Sequence, residues 1–241
     1  MNPDAYLVGE IWKVDPRWVG DRHFDGLMNY PLRETIINYL AHSSIDTTHF
    51  VEQLNYLAQI YPSEHTLSAY NLLGSHDTER VLTMLAGDKD RLKLAYLIQF
   101  AFPGAPAIYY GDEIGMAGGK DPDCRATFPW NEAQWDLDLR NHLKALIKAR
   151  NLLPALHRGG FKVVYSDNRR HCFAFARQHQ EQIVLVVINA DMKRHMVRIP
   201  ISDVGFQDGQ ILYDALGNIE VQVNEGAIVL QVTPLSGAWI V

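Results

Sequence analysis

Leu67–Asp77, with the sequence LSAYNLLGSHD, is the stretch that decides the fold. Its apolar first part, Leu67–Leu73, is predicted as a short buried strand, and Ser75, His76 and Asp77 follow it. Three more apolar runs also end in polar side chains: Ala5–Ile11, Phe24–Asn29 and Ala105–Asp112. In α/β sheets, functional residues lie at the carboxyl ends of parallel strands. The four runs therefore predict a parallel sheet with a functional edge.

Helical patterns separate the predicted strands. One helix has Asp46 as its N-cap and carries apolar residues at helical spacing, namely Phe50, Leu54, Leu57 and Tyr61. A second helix has Asp88 as its N-cap, and a third begins near Leu137 and ends before Pro154. This alternation of strands and helices predicts a parallel sheet with crossover helices.

The pattern changes after Pro154. Apolar and polar residues now alternate in six runs separated by Gly, Asn and Asp turns: Gly160–Ser166, His171–Gln178, Gln182–Ala190, His195–Ser202, Gln210–Leu216 and Ala227–Val232. Short strands at this spacing predict an antiparallel β-sandwich. We therefore predict two domains, an α/β part over residues 1–153 and an all-β part over residues 154–241.

The composition indicates a protein that handles small molecules. The 241 residues carry a formal net charge of -6, which argues against nucleic acid or an anionic membrane surface as the main partner. No apolar run approaches the ~18 residues that span a bilayer. Two cysteines, Cys124 and Cys172, are too few for a disulfide framework and fit a reducing compartment, so we expect a cytoplasmic protein.

Several kinds of catalytic site are excluded by motif. The 10 His residues show no metal-ligand spacing, and neither G-x-G-x-x-G nor a P-loop occurs, so no metal and no nucleotide cofactor is predicted. Ser75, His76 and Asp77 are adjacent and cannot form the hydrogen-bonded chain of a catalytic triad. Carboxylates, His, Arg and aromatic side chains remain, and these are the usual groups of carbohydrate chemistry.

The candidate residues have both a functional and a structural interpretation. Glu10 is either a general acid beside a sugar-stacking Trp12 or a solvated side chain next to a core Trp. His76 and Asp77 either bind hydroxyls and stabilise a developing cation, or are a surface His and a helix N-cap.

A turn-rich loop adds two further charged residues. Asp121 and Arg125 either grip sugar hydroxyls through several hydrogen bonds or form a surface salt bridge. Glu79 and Arg80, which follow the predicted strand that ends in Asp77, are interpreted as a local structural ion pair.

Three segments occur in a fixed order along the chain: Tyr6–Trp12 (YLVGEIW), Asn71–Arg80 (NLLGSHDTER) and Gly104–Glu113 (GAPAIYYGDE). They resemble signature segments of the α-amylase family of glycoside hydrolases, and the continuation Asp121–Trp130 is most similar to the neopullulanase, cyclomaltodextrinase and maltogenic amylase group. The resemblance implies the second half of a (β/α)8 TIM barrel followed by a β-sandwich. It also implies a retaining hydrolase of α-1,4 bonds, with α-1,6 bonds as a second candidate, in α-glucan oligosaccharides such as maltodextrins, cyclomaltodextrins or pullulan.

The resemblance assigns a role to each candidate residue. Glu10 is similar to the family's general acid/base, and Asp77 to the carboxylate that stabilises the oxocarbenium-like transition state. His76 resembles the His that hydrogen-bonds the sugar in the cleaved position, and Trp12 the aromatic wall on the leaving-group side. The charged pair of the turn-rich loop resembles the pair that grips glucose units on the non-reducing side.

One element of the family is missing from the sequence. A retaining glycosidase also needs a nucleophilic carboxylate about 5–5.5 Å from the acid. In the family it ends the fourth barrel strand, in an Arg-x-Asp segment before the Glu strand, and only four residues precede Ala5 here. We therefore expect a fragment that is inactive alone. It should self-associate unless the first half of the barrel is supplied, because half a barrel exposes two sheet edges.

Two other hypotheses stay open. The chain is alternatively a non-catalytic amylase-like partner or a glucan-binding protein, although a scaffold would have no need of Glu10, His76 and Asp77 together. Another hypothesis keeps the fold and changes the reaction to transglycosylation or isomerisation, because fold alone does not determine the reaction.

Overall fold

Short strands and helices alternate in the first part of the chain. The structure is a computed structural model and describes residues 2, 4–20, 22–217 and 219–241. The elements are, in chain order, β1 (Val8–Gly9), β2 (Gly26–Leu27), α1 (Tyr30–Leu40), α2 (Thr47–Gln59), α3 (Ser63–Leu67), β3 (Tyr70–Leu72), α4 (Val81–Met84), α5 (Lys89–Ala101), β4 (Ala105–Ala107), α6 (Leu137–Leu152) and α7 (Pro154–Arg158).

The strands β1 to β4 run parallel and lie side by side in chain order. β1 pairs with β2, and β3 pairs with β4. A parallel bridge between Met28 and Tyr70 joins the two pairs, and the N–H of Asn29 donates to the carbonyl of Tyr70 at 2.8 Å. This is the strand order of half a β/α barrel, which confirms the predicted fold class; the described strands do not close into a ring.

The extents of several elements differ from the prediction. The strands are shorter than the apolar runs, and Leu67 ends α3 instead of beginning a strand. Helix α1 is absent from the prediction although the sequence marks its start: the side chain of Asn29 accepts from the N–H of Leu32 at 3.1 Å, and Pro31 lies in the first turn. The cap was overlooked because it sits at the end of a strand-like run.

The predicted N-caps of α2 and α5 are confirmed. Asp46 accepts from the N–H of His49 at 2.9 Å, and Asp88 accepts from two backbone N–H groups at 3.0 Å. Helix α2 ends at Gln59, so Tyr61 lies beyond it. None of the described helices is long and apolar enough to cross a membrane.

Antiparallel strands make up the rest of the chain. They are β5 (Gly160–Asp167), β6 (Cys172–His179), β7 (Gln182–Asn189), β8 (His195–Pro200), β9 (Ile211–Tyr213), β10 (Glu220–Gln222), β11 (Ala227–Val232) and β12 (Ser236–Ile240). One sheet has the order β12-β7-β6-β5, and the pairs β8–β11 and β9–β10 share a second core with it. The strands β10 and β12 were not predicted. The division between residues 153 and 154 stays a prediction, since it falls between two helices.

The four-stranded sheet is buried on both faces. Phe173 and Phe175 of β6 belong to the core shared with the helices, where the rings of Phe50 and Phe173 meet edge to face with centroids 5.3 Å apart. Ala174 and Ala176 belong to the core between the two sandwich layers. Because both faces are covered, β6 and β7 are almost continuously apolar.

Two buried arginines join the carboxyl end of α5 to its surroundings. Arg177 of β6 donates to the carbonyl of Ala101 at 2.6 Å and to that of Gly159 at 2.9 Å. Arg150 of α6 donates to the carbonyl of Phe100 at 2.5 Å. Burial, and to a smaller extent the charge of Arg150, lowers the pKa of Arg177. The bonds to carbonyls at the negative end of the α5 dipole therefore offset a desolvation cost.

We expect Arg177→Met to lower the free energy of unfolding by about 3 kcal/mol, because buried carbonyls lose their donor. Urea denaturation followed by circular dichroism measures this loss. Arg198→Met is the matched control: Arg198 also lies on a sandwich strand, but its side chain is 54% exposed, and we expect a change within about 0.5 kcal/mol. Equal losses in the two variants would contradict this role of Arg177.

Candidate active site

Glu10 and Trp12 lie directly after β1. The side chain of Glu10 is exposed, and Trp12 is 47% exposed. One face of the Trp12 indole stacks on the ring of Tyr30, with centroids 3.7 Å apart and an angle of 12° between the planes. Tyr30 is the first residue of α1 and follows the end of β2, so the stack joins the carboxyl ends of two neighbouring strands.

The hydroxyl of Tyr30 links these two strands to the loop after β3. It donates to the side-chain oxygen of Ser75 at 3.3 Å. Burial raises the pKa of Tyr30, and the negative charges of Glu10 and Asp77 raise it further, while the hydrogen bond to Ser75 opposes them. Both predicted catalytic carboxylates therefore raise the pKa of the same phenol. The structure brings Glu10 and Asp77 to the same edge of the sheet.

His76 and Asp77 lie at the exposed tip of the loop between β3 and α4. Their side chains are 60% and 35% exposed, and Nε2 of His76 lies 3.3 Å from Oδ2 of Asp77. The backbone N–H of Asp77 donates to the hydroxyl of Ser75 at 3.2 Å. The N-cap of α4 is Arg80, so Asp77 does not cap that helix. This excludes the simplest structural interpretation of Asp77.

Arg125 joins the turn-rich loop to the same site. Its Nη2 lies 3.3 Å from Oδ1 of Asp77, and its Nε lies 3.3 Å from Oδ1 of Asp121. The same Nε donates to the carbonyl of His76 at 3.0 Å. The exposed Asp121–Arg125 pair is worth less than about 1 kcal/mol to stability. All six predicted site residues thus lie around the ends of β1, β3 and β4.

The predicted ion pair of Glu79 and Arg80 is wrong. Arg80 is fully buried, and its Nη1 donates to Oδ1 of Asp112 and to the carbonyl of Tyr110, both at 2.8 Å. The local interpretation failed because it considered only the neighbour in sequence. The run after β4 ends in Tyr-Tyr-Gly-Asp-Glu, and this concentration of polar groups beside a buried strand could have pointed to Asp112.

Asp112 is the most perturbed carboxyl group near the site. Burial raises its pKa to about 7, against the opposing charge of Arg80 and the hydrogen bond from it. Its side chain is almost inaccessible, whereas Glu10 and Asp77 are open to solvent. The group is therefore placed to hold the loops together and does not contact the open edge of the sheet.

The arrangement suits acid–base chemistry on a polyhydroxylated ligand. Two accessible carboxylates, one imidazole, one guanidinium and a half-exposed indole lie at one edge of the sheet, and such groups exchange protons, bind hydroxyls and stack on sugar rings. Within the described residues, no group of three or more His, Cys, Asp or Glu side chains is placed to hold a metal ion.

Two family models match the chain. The model of the alpha amylase catalytic domain matches residues 1–194, and the model of the maltogenic amylase C-terminal domain matches residues 161–239. The two matched ranges together include every residue of the candidate site and most of the sandwich.

Individual relatives agree with the family models. The chain is 38% identical to neopullulanase 2 of Thermoactinomyces vulgaris over 98% of this chain and 40% of that protein. It is 37% identical to a cyclomaltodextrinase of Geobacillus thermopakistaniensis over 85% of this chain and 35% of that protein. The chain therefore spans well under half the length of these curated relatives.

Solved structures show the same fold. A crystal structure from Thermus thermophilus superposes with a TM-score of 0.91 at 34% identity, over 99% of this chain and 52% of that one. The Nostoc punctiforme debranching enzyme gives a TM-score of 0.87 at 32% identity, again over 99% and 52%. From the family models, the relatives and the shared fold, we conclude that this chain belongs to the alpha-amylase family.

Proposed function

We propose that this chain carries the acid/base part of the active site of a retaining glycoside hydrolase that acts on α-glucans. The observation that carries the proposal is the series of contacts between the segments after β1 and β3: Trp12 stacks on Tyr30, the Tyr30 hydroxyl donates to Ser75, and Ser75 accepts from the backbone N–H of Asp77. Two carboxyl groups on either side of a glycosidic bond are what such hydrolysis requires. The family membership supports the same reaction class.

In this mechanism Glu10 protonates the glycosidic oxygen as the leaving group departs. A nucleophilic carboxylate forms the covalent glycosyl-enzyme, and Glu10 then removes a proton from the water that hydrolyses it. We assign the nucleophile to a strand on the open side of β1, where the barrel order would place it, outside the four strands of this chain. Asp77 stabilises the positive charge that develops on the sugar ring.

The other site residues bind and orient the sugar. Trp12 offers the face opposite Tyr30 to a glucose ring, which is an apolar surface of suitable size. His76 and Arg125 present N–H donors beside Asp77, and sugar hydroxyls accept from such donors. Asp121 holds Arg125 from the other side and accepts from a further hydroxyl.

The substrates that we propose are α-glucan oligosaccharides with α-1,4 bonds, and α-1,6 bonds in addition. The relatives are named neopullulanase, cyclomaltodextrinase, maltogenic alpha-amylase and amylopullulanase. One neighbouring structure, a hydrolase from Arthrobacter globiformis, is described in complex with cyclic α-maltosyl-(1→6)-maltose. The 1→6 linkage therefore appears in the name of one neighbour.

We also propose that the two outer strands are covered by the other half of the barrel. Tyr6 and Leu7 before β1 and Val8 within it are exposed apolar side chains, and Tyr110 after β4 and Ile147 of α6 are exposed on the other side. An uncovered strand edge flanked by apolar side chains promotes association. When this chain is purified alone, a second copy of it is the partner that can cover these edges.

A reducing, cytoplasmic compartment remains part of the proposal. Cys124 and Cys172 are both free and buried, one near the candidate site and one in the sandwich. Burial raises the pKa of Cys172 to about 12, so this thiol is a poor nucleophile while it stays buried. Neither thiol is part of the proposed reaction.

We expect the purified chain to self-associate, and Val8→Lys to weaken this association, because a charge on an edge strand opposes edge-to-edge pairing. Sedimentation velocity at several protein concentrations measures the effect. Val229→Lys is the matched control, since Val229 is an exposed valine on strand β11, distant from the barrel half. A chain that is monomeric at every concentration would contradict the proposed covering of the edges.

Maltotriose binding tests the proposed site directly, because binding does not need the nucleophile. We expect Trp12→Ala to weaken binding about ten-fold, which corresponds to the loss of about 1.4 kcal/mol of stacking. Isothermal titration calorimetry with maltotriose gives the dissociation constants. Trp18→Ala is the matched control, because Trp18 is 43% exposed but packs near His23 and Phe24 instead of Tyr30. Equal weakening in both variants would remove Trp12 from the site.

A further inference from the structure

We propose that Arg80, together with Asp112, is the positioning residue that holds the His76–Asp77 loop in its working geometry. The loop is the segment from Gly74 to Arg80, between β3 and α4. The inference deepens the proposed function, because the loop carries the carboxylate that we assign to transition-state stabilisation. It assigns a role to a buried pair of residues that supports the loop and does not contact the sugar.

Both ends of the loop rest on the same carboxyl group. At the first end, a Cβ atom added to Gly74 would lie 2.4 Å from Oδ2 of Asp112, so the carboxylate lies against the bare backbone there. At the other end, Nη1 of Arg80 donates to Oδ1 of Asp112 at 2.8 Å. Asp112 therefore fixes the separation between the two ends of the loop.

The middle of the loop is held by the segment between β4 and α6, to which Asp112 also belongs. The carbonyl of His76 accepts from Nε of Arg125 at 3.0 Å and from the thiol of Cys124 at 3.3 Å. The backbone N–H of Arg80 donates to the carbonyl of Gly118 at 3.0 Å. The loop is thus attached at its beginning, middle and end to residues that lie between β4 and α6.

The guanidinium group of Arg80 contacts two aromatic rings as well as Asp112. Its planar group lies 4.8 Å from the ring centroid of Tyr109 and 5.0 Å from that of Tyr110, and the same nitrogen that binds Asp112 also donates to the carbonyl of Tyr110 at 2.8 Å. A lysine ammonium is a point charge without a planar face, so it does not reproduce the contacts with the two rings. We therefore expect Arg80→Lys to disturb the buried pair although it keeps the charge.

Cys124 supplies a reporter for the position of the loop. Its thiol is fully buried because it lies under the carbonyl of His76, and Cys172, the other cysteine, is buried in the sandwich. A loop that opens locally exposes Cys124 alone, whereas general destabilisation exposes both thiols. The ratio of the two labelling rates therefore separates a positioning role from a merely structural one.

The test is iodoacetamide labelling of the full chain under native conditions, with the rate at each cysteine read by peptide mass spectrometry. We expect Arg80→Lys to accelerate labelling of Cys124 about ten-fold and to leave the rate at Cys172 unchanged. Asp112→Asn keeps the size of the side chain, should shift the rates in the same direction, and serves if Arg80→Lys does not fold.

Arg177→Lys is the matched control, because Arg177 is an equally buried arginine that is remote from the loop. We expect it to act only through general stability, so that the ratio of the labelling rates at Cys124 and Cys172 keeps its wild-type value. The proposal is overturned if Cys124 keeps the wild-type rate in both loop variants, or if both cysteines accelerate by the same factor. Because labelling needs no glucan, its failure is distinguishable from a failure of the proposed function, which maltotriose binding reports.

Discussion

The buried side chain of Asn71 holds the short parallel strands in register. Its amide donates to the carbonyl of Pro103 at 2.8 Å and accepts from the amide of Asn29 at 2.8 Å. Gln99 of α5 donates to the backbone carbonyls of Asn71 and Ala107 at 2.8 and 2.9 Å. Strands of two or three residues make few ladder bonds of their own, so these amides supply bonds between strands that the ladders lack.

This register determines where the residues of the candidate site lie. With β2, β3 and β4 fixed side by side, the residues that follow each strand converge on one edge of the sheet. Glu10, Tyr30 and Asp77 lie at that edge, and Arg125, from the segment after β4, contacts Asp77. The side chains of Glu10 and Asp77, which we propose for catalysis, are exposed, while Arg80 and Asp112 form a buried ion pair. The candidate site therefore combines exposed carboxyl groups with a buried ion pair.

Local signals in the sequence predicted the parts of the fold that depend on neighbouring residues. The caps at Asp46 and Asp88 are examples, because a cap needs only the first turn of its helix. Long-range contacts were not predictable in this way. Arg80 was paired with Glu79, its neighbour, since no local pattern shows that a residue 32 positions later is its partner.

The sequence indicates where the candidate site residues lie because they follow strands, while their roles stay predictions. The positions of Glu10, His76 and Asp77 could be derived from apolar runs that end in polar groups, and the family resemblance supplied their roles. The stack of Trp12 on Tyr30 was not predicted, because it depends on the lateral order of β1 and β2. The burial of β6 on both faces was likewise not predictable, because an apolar strand does not show which layers will cover it.

The central claim is that Glu10 is the general acid/base of an α-glucan hydrolase. The most direct measurement is the release of reducing sugar from maltotriose by this chain, alone and assembled with a segment that supplies the preceding barrel strands and their Arg-x-Asp carboxylate. The account predicts background rates for the chain alone and hydrolysis by the assembly. Glu10→Gln should lower that rate by about 10²–10⁴-fold, and the exposed control Glu181→Gln should not change it. Full activity of the assembly after Glu10→Gln would contradict the account.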